Sequence, residues 1–268
     1  MVFSWIKRQR RAKLLAEPFP YEWLEILKRN VRYYPLLRSD EQARLRDDLR
    51  VLIAEKTWEG CGGQEINDEI KVTIAAQACL LLVGLDHDYF DRVLSILVYP
   101  TAYSVPTRHG TLIGGPISIS GERYRLGEAW YRGPVVLSWA DVLRDSQHPG
   151  RGRNLVWHEF AHQLDMLDRE VDGTPPLANR EQYRRWTEVM TAAFEQLREA
   201  IKAGQPTLLD PYAATNEGEF FAVATECFFD QPVELSERHP ELYALLRDYF
   251  HQDPVQRLRR RNVGRAPD

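Results

Sequence analysis

The stretch Asn154-Leu155-Val156-Trp157-His158-Glu159-Phe160-Ala161-His162-Gln163-Leu164-Asp165-Met166-Leu167 decides how this chain is read. Its residues suit a helix of about three turns, bounded upstream by Pro149-Gly150-Arg151-Gly152. On such a helix His158 and His162 lie on one face, a turn apart. Two imidazoles so placed can share a metal ion, and Glu159 projects beside it as a base for a water molecule. Trp157, Phe160 and Leu164 are apolar neighbours, so the segment turns inward, where polar side chains need partners. A metal would satisfy them, and zinc suits the pair because it accepts neutral imidazole nitrogen and imposes little geometric preference. Two ordinary histidines on a helix are the plainer alternative.

A hydrolytic zinc takes three protein ligands and keeps a fourth position for water. The continuation Gln163-Leu164-Asp165-Met166-Leu167-Asp168 lacks the third histidine of the three-histidine metalloproteases, which leaves a carboxylate from a second helix as the natural choice. Between Asn216 and Glu226, the residues Glu219 and Glu226 fall on one helical face with Ala222 and Val223 between them. Inward carboxylates are paired or coordinate a cation, so one would bind metal and the other hold a ligand histidine; a solvent-facing acidic stripe is the plainer alternative. Spacing alone does not choose between them. Tyr212, in Asp210-Pro211-Tyr212 ahead of that helix, is either a donor to a developing oxyanion or a ring packed in the core. Asp165 either orients an imidazole or faces solvent. His109, His148, His239 and His251 sit among turns or charges and read as surface histidines.

Outward from the motif, residues 21–57 carry apolar positions at helical spacing, as two amphipathic helices divided near Tyr34-Pro35. The nearly apolar run from Val72 to Leu85, interrupted by Gln77, reads as a buried helix. Glycine and proline punctuate Leu97 to Trp139, where short runs such as Ile117-Ser118-Ile119-Ser120 are strand signals. Helices resume at Leu155–Leu167, Arg180–Ala203, Glu217–Phe229 and Leu242–Phe250. Without a visible alternation of strand and helix, the pattern predicts a mainly helical α+β protein with a small sheet. It divides into an N-terminal helical region (1–96), a core carrying the chemistry (97–253) and a basic, solvated tail (254–268).

The 268-residue chain has 44% hydrophobic and 28% charged residues and a formal charge of −4, which excludes disorder and gives no basic field for nucleic acid or an anionic membrane. No apolar run approaches the roughly 20 residues of a membrane span. Cys61, Cys79 and Cys227 are an odd number without a Cys-x-x-Cys pair, and residues 1–16 have the wrong order for a secretory signal. A reducing, cytoplasmic setting is expected.

Taken together, Val156 to Met166, Asp210-Pro211-Tyr212-Ala213-Ala214, Glu219-Phe220-Phe221-Ala222-Val223 and Glu226-Cys227-Phe228-Phe229 resemble the Mlc titration factor A family. These are bacterial zinc metallopeptidases of the gluzincin type, with a zincin-like core similar to that of anthrax lethal factor. Ile74 to Cys79 and Gly133 to Trp139 belong to the same resemblance. It implies one zinc ion on His158, His162 and Glu219, with Glu226 behind the ligands, Glu159 as general base and Tyr212 as transition-state donor. It also implies aminopeptidase-like activity on a peptide or protein substrate, which would lie along Val135 to Trp139 by strand addition. A Mlc-type transcriptional repressor is an implied partner, whose capture would relieve repression of the glucose phosphotransferase system. The competing reading is a regulatory protein-binding module in which zinc is mainly structural. A loop such as Asp168 to Asn179 could cover the cleft.

Overall fold

A computed structural model describes residues 2–101 and 133–263. The N-terminal part comprises α1 (Val2–Ala16), α2 (Tyr21–Asn30), α3 (Ser39–Glu55), the short strand β1 (Thr57–Gly60) and α4 (Asp68–Leu80). Strand β2 (Ser95–Tyr99) follows, then β3 (Val135–Ser138), α5 (Trp139–Gln147) and α6 (Leu155–Asp165). The remainder is helical: α7 (Arg180–Lys202), α8 (Glu217–Asp230), α9 (Pro232–Arg238), α10 (Pro240–Phe250) and α11 (Pro254–Val263). The strands form one sheet in the order β1-β2-β3, parallel throughout, pairing Trp58 with Ile96 and Ile96 with Val135.

The mainly helical α+β class agrees with this architecture, but the sheet differs in detail. β1 lies where the sequence reads as the end of a helical region, and β1-α4-β2 is a crossover unit of parallel strands. Thr57-Trp58-Glu59-Gly60 is an exposed edge of the described sheet with only Trp58 half-buried, so it carries no inward alternation to betray it. The boundary at residues 96/97 falls inside β2, and a single core runs through residues on both sides of it. The strand signal at Ile117–Ser120 lies outside the described residues.

α4 and α8 are the central helices. Every residue of α8 except Glu217 is buried, and α4 is buried from Ile70 to Leu80 apart from half-buried Lys71. Such helices are core elements rather than amphipathic covers. α6 packs between them and against β3, with Trp157 on Phe229 and Phe160 on Phe90. Phe228, Phe229, Tyr249 and Phe250 extend this aromatic core to α10.

The described part of the basic C-terminal stretch is a helix through Val263, with Arg259 and Arg260 exposed as a solvated segment requires but Arg257 turned inward. Asp253 starts it, accepting the Gln256 N–H at 2.8 Å, and the Arg257 guanidinium is buried against Glu41 at 2.8 Å. A run of arginines reads as solvated until tertiary structure places a carboxylate from far along the chain beside one of them.

Candidate metal centre

Two capped helices bring the chemistry together. The Asn154 side chain accepts the Trp157 N–H at 3.0 Å and starts α6; the Asn216 side chain accepts the Glu219 N–H at 2.9 Å and starts α8. These caps fix where His158 and His162 leave one helix and Glu219 the other. His158 Nε2 lies 3.0 Å from Glu219 Oε2, His162 Nε2 lies 3.5 Å from the same oxygen, and the two imidazole nitrogens are 3.3 Å apart. All three side chains are buried, and this trio could hold a metal ion. Glu219 is fully buried, its Oε2 facing only the two imidazole nitrogens among the described residues and its Oε1 making no hydrogen bond. A carboxylate in that condition calls for a cation.

Glu226 stands behind His158, one of its oxygens 2.7 Å from Nδ1 and the other accepting the Asn154 backbone N–H. A carboxylate only accepts, so Nδ1 carries a proton toward Glu226; Nε2, which faces the Glu219 oxygen, is the nitrogen left to give its lone pair to a metal ion and to carry a proton without one. Burial opposes charging His158, but Glu226 and Glu219 outweigh it and raise its pKa well above the ordinary value. Burial likewise works to raise the Glu219 pKa; the two histidines overcome it and hold the carboxyl far below the ordinary value. Burial pushes the Glu226 carboxyl up, with His158 and the Asn154 N–H opposing.

Glu159 is buried next to this trio, 3% exposed. Half-buried Tyr212, in the 3-10 turn Pro211–Ala214, has its ring centroid 6.2 Å from that of His158. Of the histidines read as peripheral, His148 and His251 are exposed, His239 is half-buried, and His109 lies outside the described residues.

Asp165 does not face solvent. It is fully buried, and its Oδ2 accepts the Gly173 N–H at 3.1 Å. Burial, with Asp172 and Asp168 nearby, pushes its carboxyl up to about 7 against these hydrogen bonds. Between the ordinary 3.8 and that value the folded protein keeps a proton that the unfolded chain releases, so rising pH erodes stability across this window. Relative to Asp165→Asn, the wild type is expected to lose up to ~4 kcal/mol as pH rises through the window, levelling off above it. Paired melting curves across that range provide the check, and a constant difference between the proteins would refute it.

Sequence reasoning missed two supports. Gln77, noted only as an interruption, accepts the Asn154 side-chain amide at 2.6 Å, and its backbone carbonyl accepts the Trp157 indole N–H at 3.0 Å. Asp230 accepts the N–H groups of Gly150 and Gly152 at 2.8 and 2.7 Å and the Tyr33 hydroxyl at 2.7 Å, pinning the turn that feeds α6. The available signal was a polar residue inside, or at the end of, a strongly apolar helix. His87 lies 3.3 Å from Asp48.

Comparison with known proteins agrees with this geometry. The family described as glucose-regulated metallo-peptidase M90 matches residues 4–251. An uncharacterized protein of Synechocystis is 36% identical over 247 residues, covering 92% of this chain and 89% of that protein. A protein of Edwardsiella ictaluri named Mlc titration factor A is 34% identical, covering 94% and 95% respectively. A Yersinia pestis protein of the same name is 30% identical, covering 96% and 92%. No helix among the described residues is long and apolar enough to cross a membrane. With the match running over nearly its whole length and across the buried histidine and glutamate cluster, this chain belongs to the M90 family of glucose-regulated metallopeptidases.

Proposed function

We propose that the protein is a zinc-dependent peptidase of the gluzincin type, with His158, His162 and Glu219 as ligands, Glu159 as general base and Tyr212 as oxyanion donor. One observation carries the reading. Tetrahedral ligands about 2.0–2.1 Å from a zinc ion stand about 3.3–3.4 Å from one another. The three candidate ligand atoms here are separated by 3.0, 3.3 and 3.5 Å. A bound zinc ion supplies a Lewis acid for a scissile carbonyl and makes water a stronger acid.

The chain's own residues do the rest. Glu226 holds His158 in the tautomer whose Nε2 faces the centre. Glu159 takes a proton from the attacking water and returns it to the leaving amine. Tyr212 donates its O–H to the oxygen that becomes negative as the carbonyl carbon turns tetrahedral. The substrate is a peptide, with aminopeptidase specificity, lying along β3, an edge of the described sheet. We place the protein in the cytoplasm, consistent with its three free cysteines.

The names of the relatives favour a second role, capture of a Mlc-type repressor, in which the metal mainly ties α6 to α8. Against a purely structural site stands Glu159, buried beside the ligands, where such a site has no use for a base. Metal analysis of the wild type and His158→Ala, paired with a panel of aminoacyl chromogenic substrates, tests the proposal. The expected result is about one zinc per chain with chelator-sensitive turnover, both lost in the variant. Zinc without turnover would favour the repressor-binding role, and a zinc-free wild type would remove the site.

A further inference from the structure

We propose that Asp165 and Gly173 form a positioning clasp that sets the separation of the two ligand-bearing helices, and through it the metal affinity of the site. The inference rests on the metal-binding reading above. His162 and Glu219 sit on different helices, so the 3.5 Å between Nε2 and Oε2 depends on how α6 and α8 are registered. Apolar packing between helices is non-directional and tolerates sliding, so it does not by itself hold such a distance. Directional ties do.

One tie is at the start of α6, where Glu226 near the end of α8 takes the Asn154 N–H and His158 Nδ1. The opposite ends of the two helices are joined through Gly173. Asp165, in the last turn of α6, accepts its N–H at 3.1 Å. Its carbonyl accepts the Trp186 indole N–H at 3.0 Å. Its Cα rests directly on the backbone that opens α8: a Cβ there would lie 2.4 Å from the Glu217 carbonyl oxygen and 2.7 Å from its carbon. Gly173 also has φ +76°, in the region that glycine alone enters freely. Trp186 is buried on α7 and packs on Phe221 of α8, ring centroids 5.6 Å apart, so the glycine is held from a third side.

The clasp therefore bears on α8 two residues before Glu219 and on α6 three residues after His162. With Glu226 at the other end, the ligands are bracketed by ties on both sides. A fully buried carboxylate is costly, and simple packing would be served better by an apolar residue in its place. The loop between Asp168 and Asn179 thus acts as a brace between the helices.

The experiment measures zinc affinity by chelator competition, and the visible spectrum of the cobalt-substituted protein, for full-length wild type, Asp165→Ala, Asp165→Asn, Gly173→Ala and Trp186→Phe. Asp165→Ala and Gly173→Ala, unlike in chemistry and at opposite ends of one hydrogen bond, are expected to weaken zinc by about 10–100-fold and to alter the cobalt bands alike. Asp165→Asn keeps an acceptor for the Gly173 N–H and is expected to restore both readouts. Trp186→Phe keeps the ring, loses the indole donor and should fall between. Folded Asp165→Ala or Gly173→Ala with wild-type affinity and spectrum overturns the clasp, as does Asp165→Asn as weak as Asp165→Ala. Should Asp165→Ala not fold, Gly173→Ala and Trp186→Phe decide by the same criteria. A wild type that binds neither metal would instead defeat the metal-binding reading itself.

Discussion

Glu159→Gln is expected to keep its metal and lose peptide hydrolysis by about 10²–10⁴-fold. The amide has nearly the shape of the carboxylate, so packing of α6 against α8 is preserved while the proton acceptor is gone. Glu159 is outside the ligand trio, whose donor atoms converge without it, so metal content should be unchanged. The measurement is kcat/KM on a chromogenic peptide together with metal per chain on the same preparation. A metal-loaded variant turning over at the wild-type rate would remove Glu159 from its role. The same variant separates the two functional readings, since capture of a repressor has no need of a base. Capture that survives while hydrolysis is lost would show two activities on one scaffold.

The second large effect is expected at Glu226, where glutamine should be nearly as damaging as alanine. Both groups that meet this carboxylate are donors: the Asn154 backbone N–H and His158 Nδ1. Glutamine offers one acceptor and one NH2, so it sets a donor against a donor wherever it turns. In a buried site, stranding those groups costs about 2–4 kcal/mol of stability. It also frees the His158 tautomer, which should weaken metal binding by about 10–100-fold. Thermal or denaturant unfolding and zinc competition on Glu226→Gln and Glu226→Ala would establish this. A glutamine variant matching the wild type in both would mean that Glu226 is not acceptor-only, and that the imidazole is oriented by something else.

Local sequence made much of this protein readable because the relevant physics is local. Helix periodicity places His158 and His162 on one face whatever surrounds them, since one turn of backbone determines it. The same holds for Glu219 and Glu226. What a helix face meets is another matter. Nothing in the spacing of Glu219 and Glu226 says which reaches Nε2 and which Nδ1; the crossing of α6 and α8 does.

Chemistry-bearing residue types, their helical spacing and the mainly helical α+β class were determined by the sequence alone. Tertiary structure decided the rest. It made β1 an edge strand of the described sheet by hydrogen-bonding to β2 an exposed segment that needs no apolar alternation of its own. It settled Asp165, which the sequence left between orienting an imidazole and facing solvent, as a buried acceptor for Gly173, and turned Arg257 from a tail residue into the partner of Glu41. Each of these depends on a group distant in sequence or held by a loop. Hydrogen bonds and ion pairs act over a few ångströms of space, and a one-dimensional pattern records only those whose partners lie within the same turn or strand.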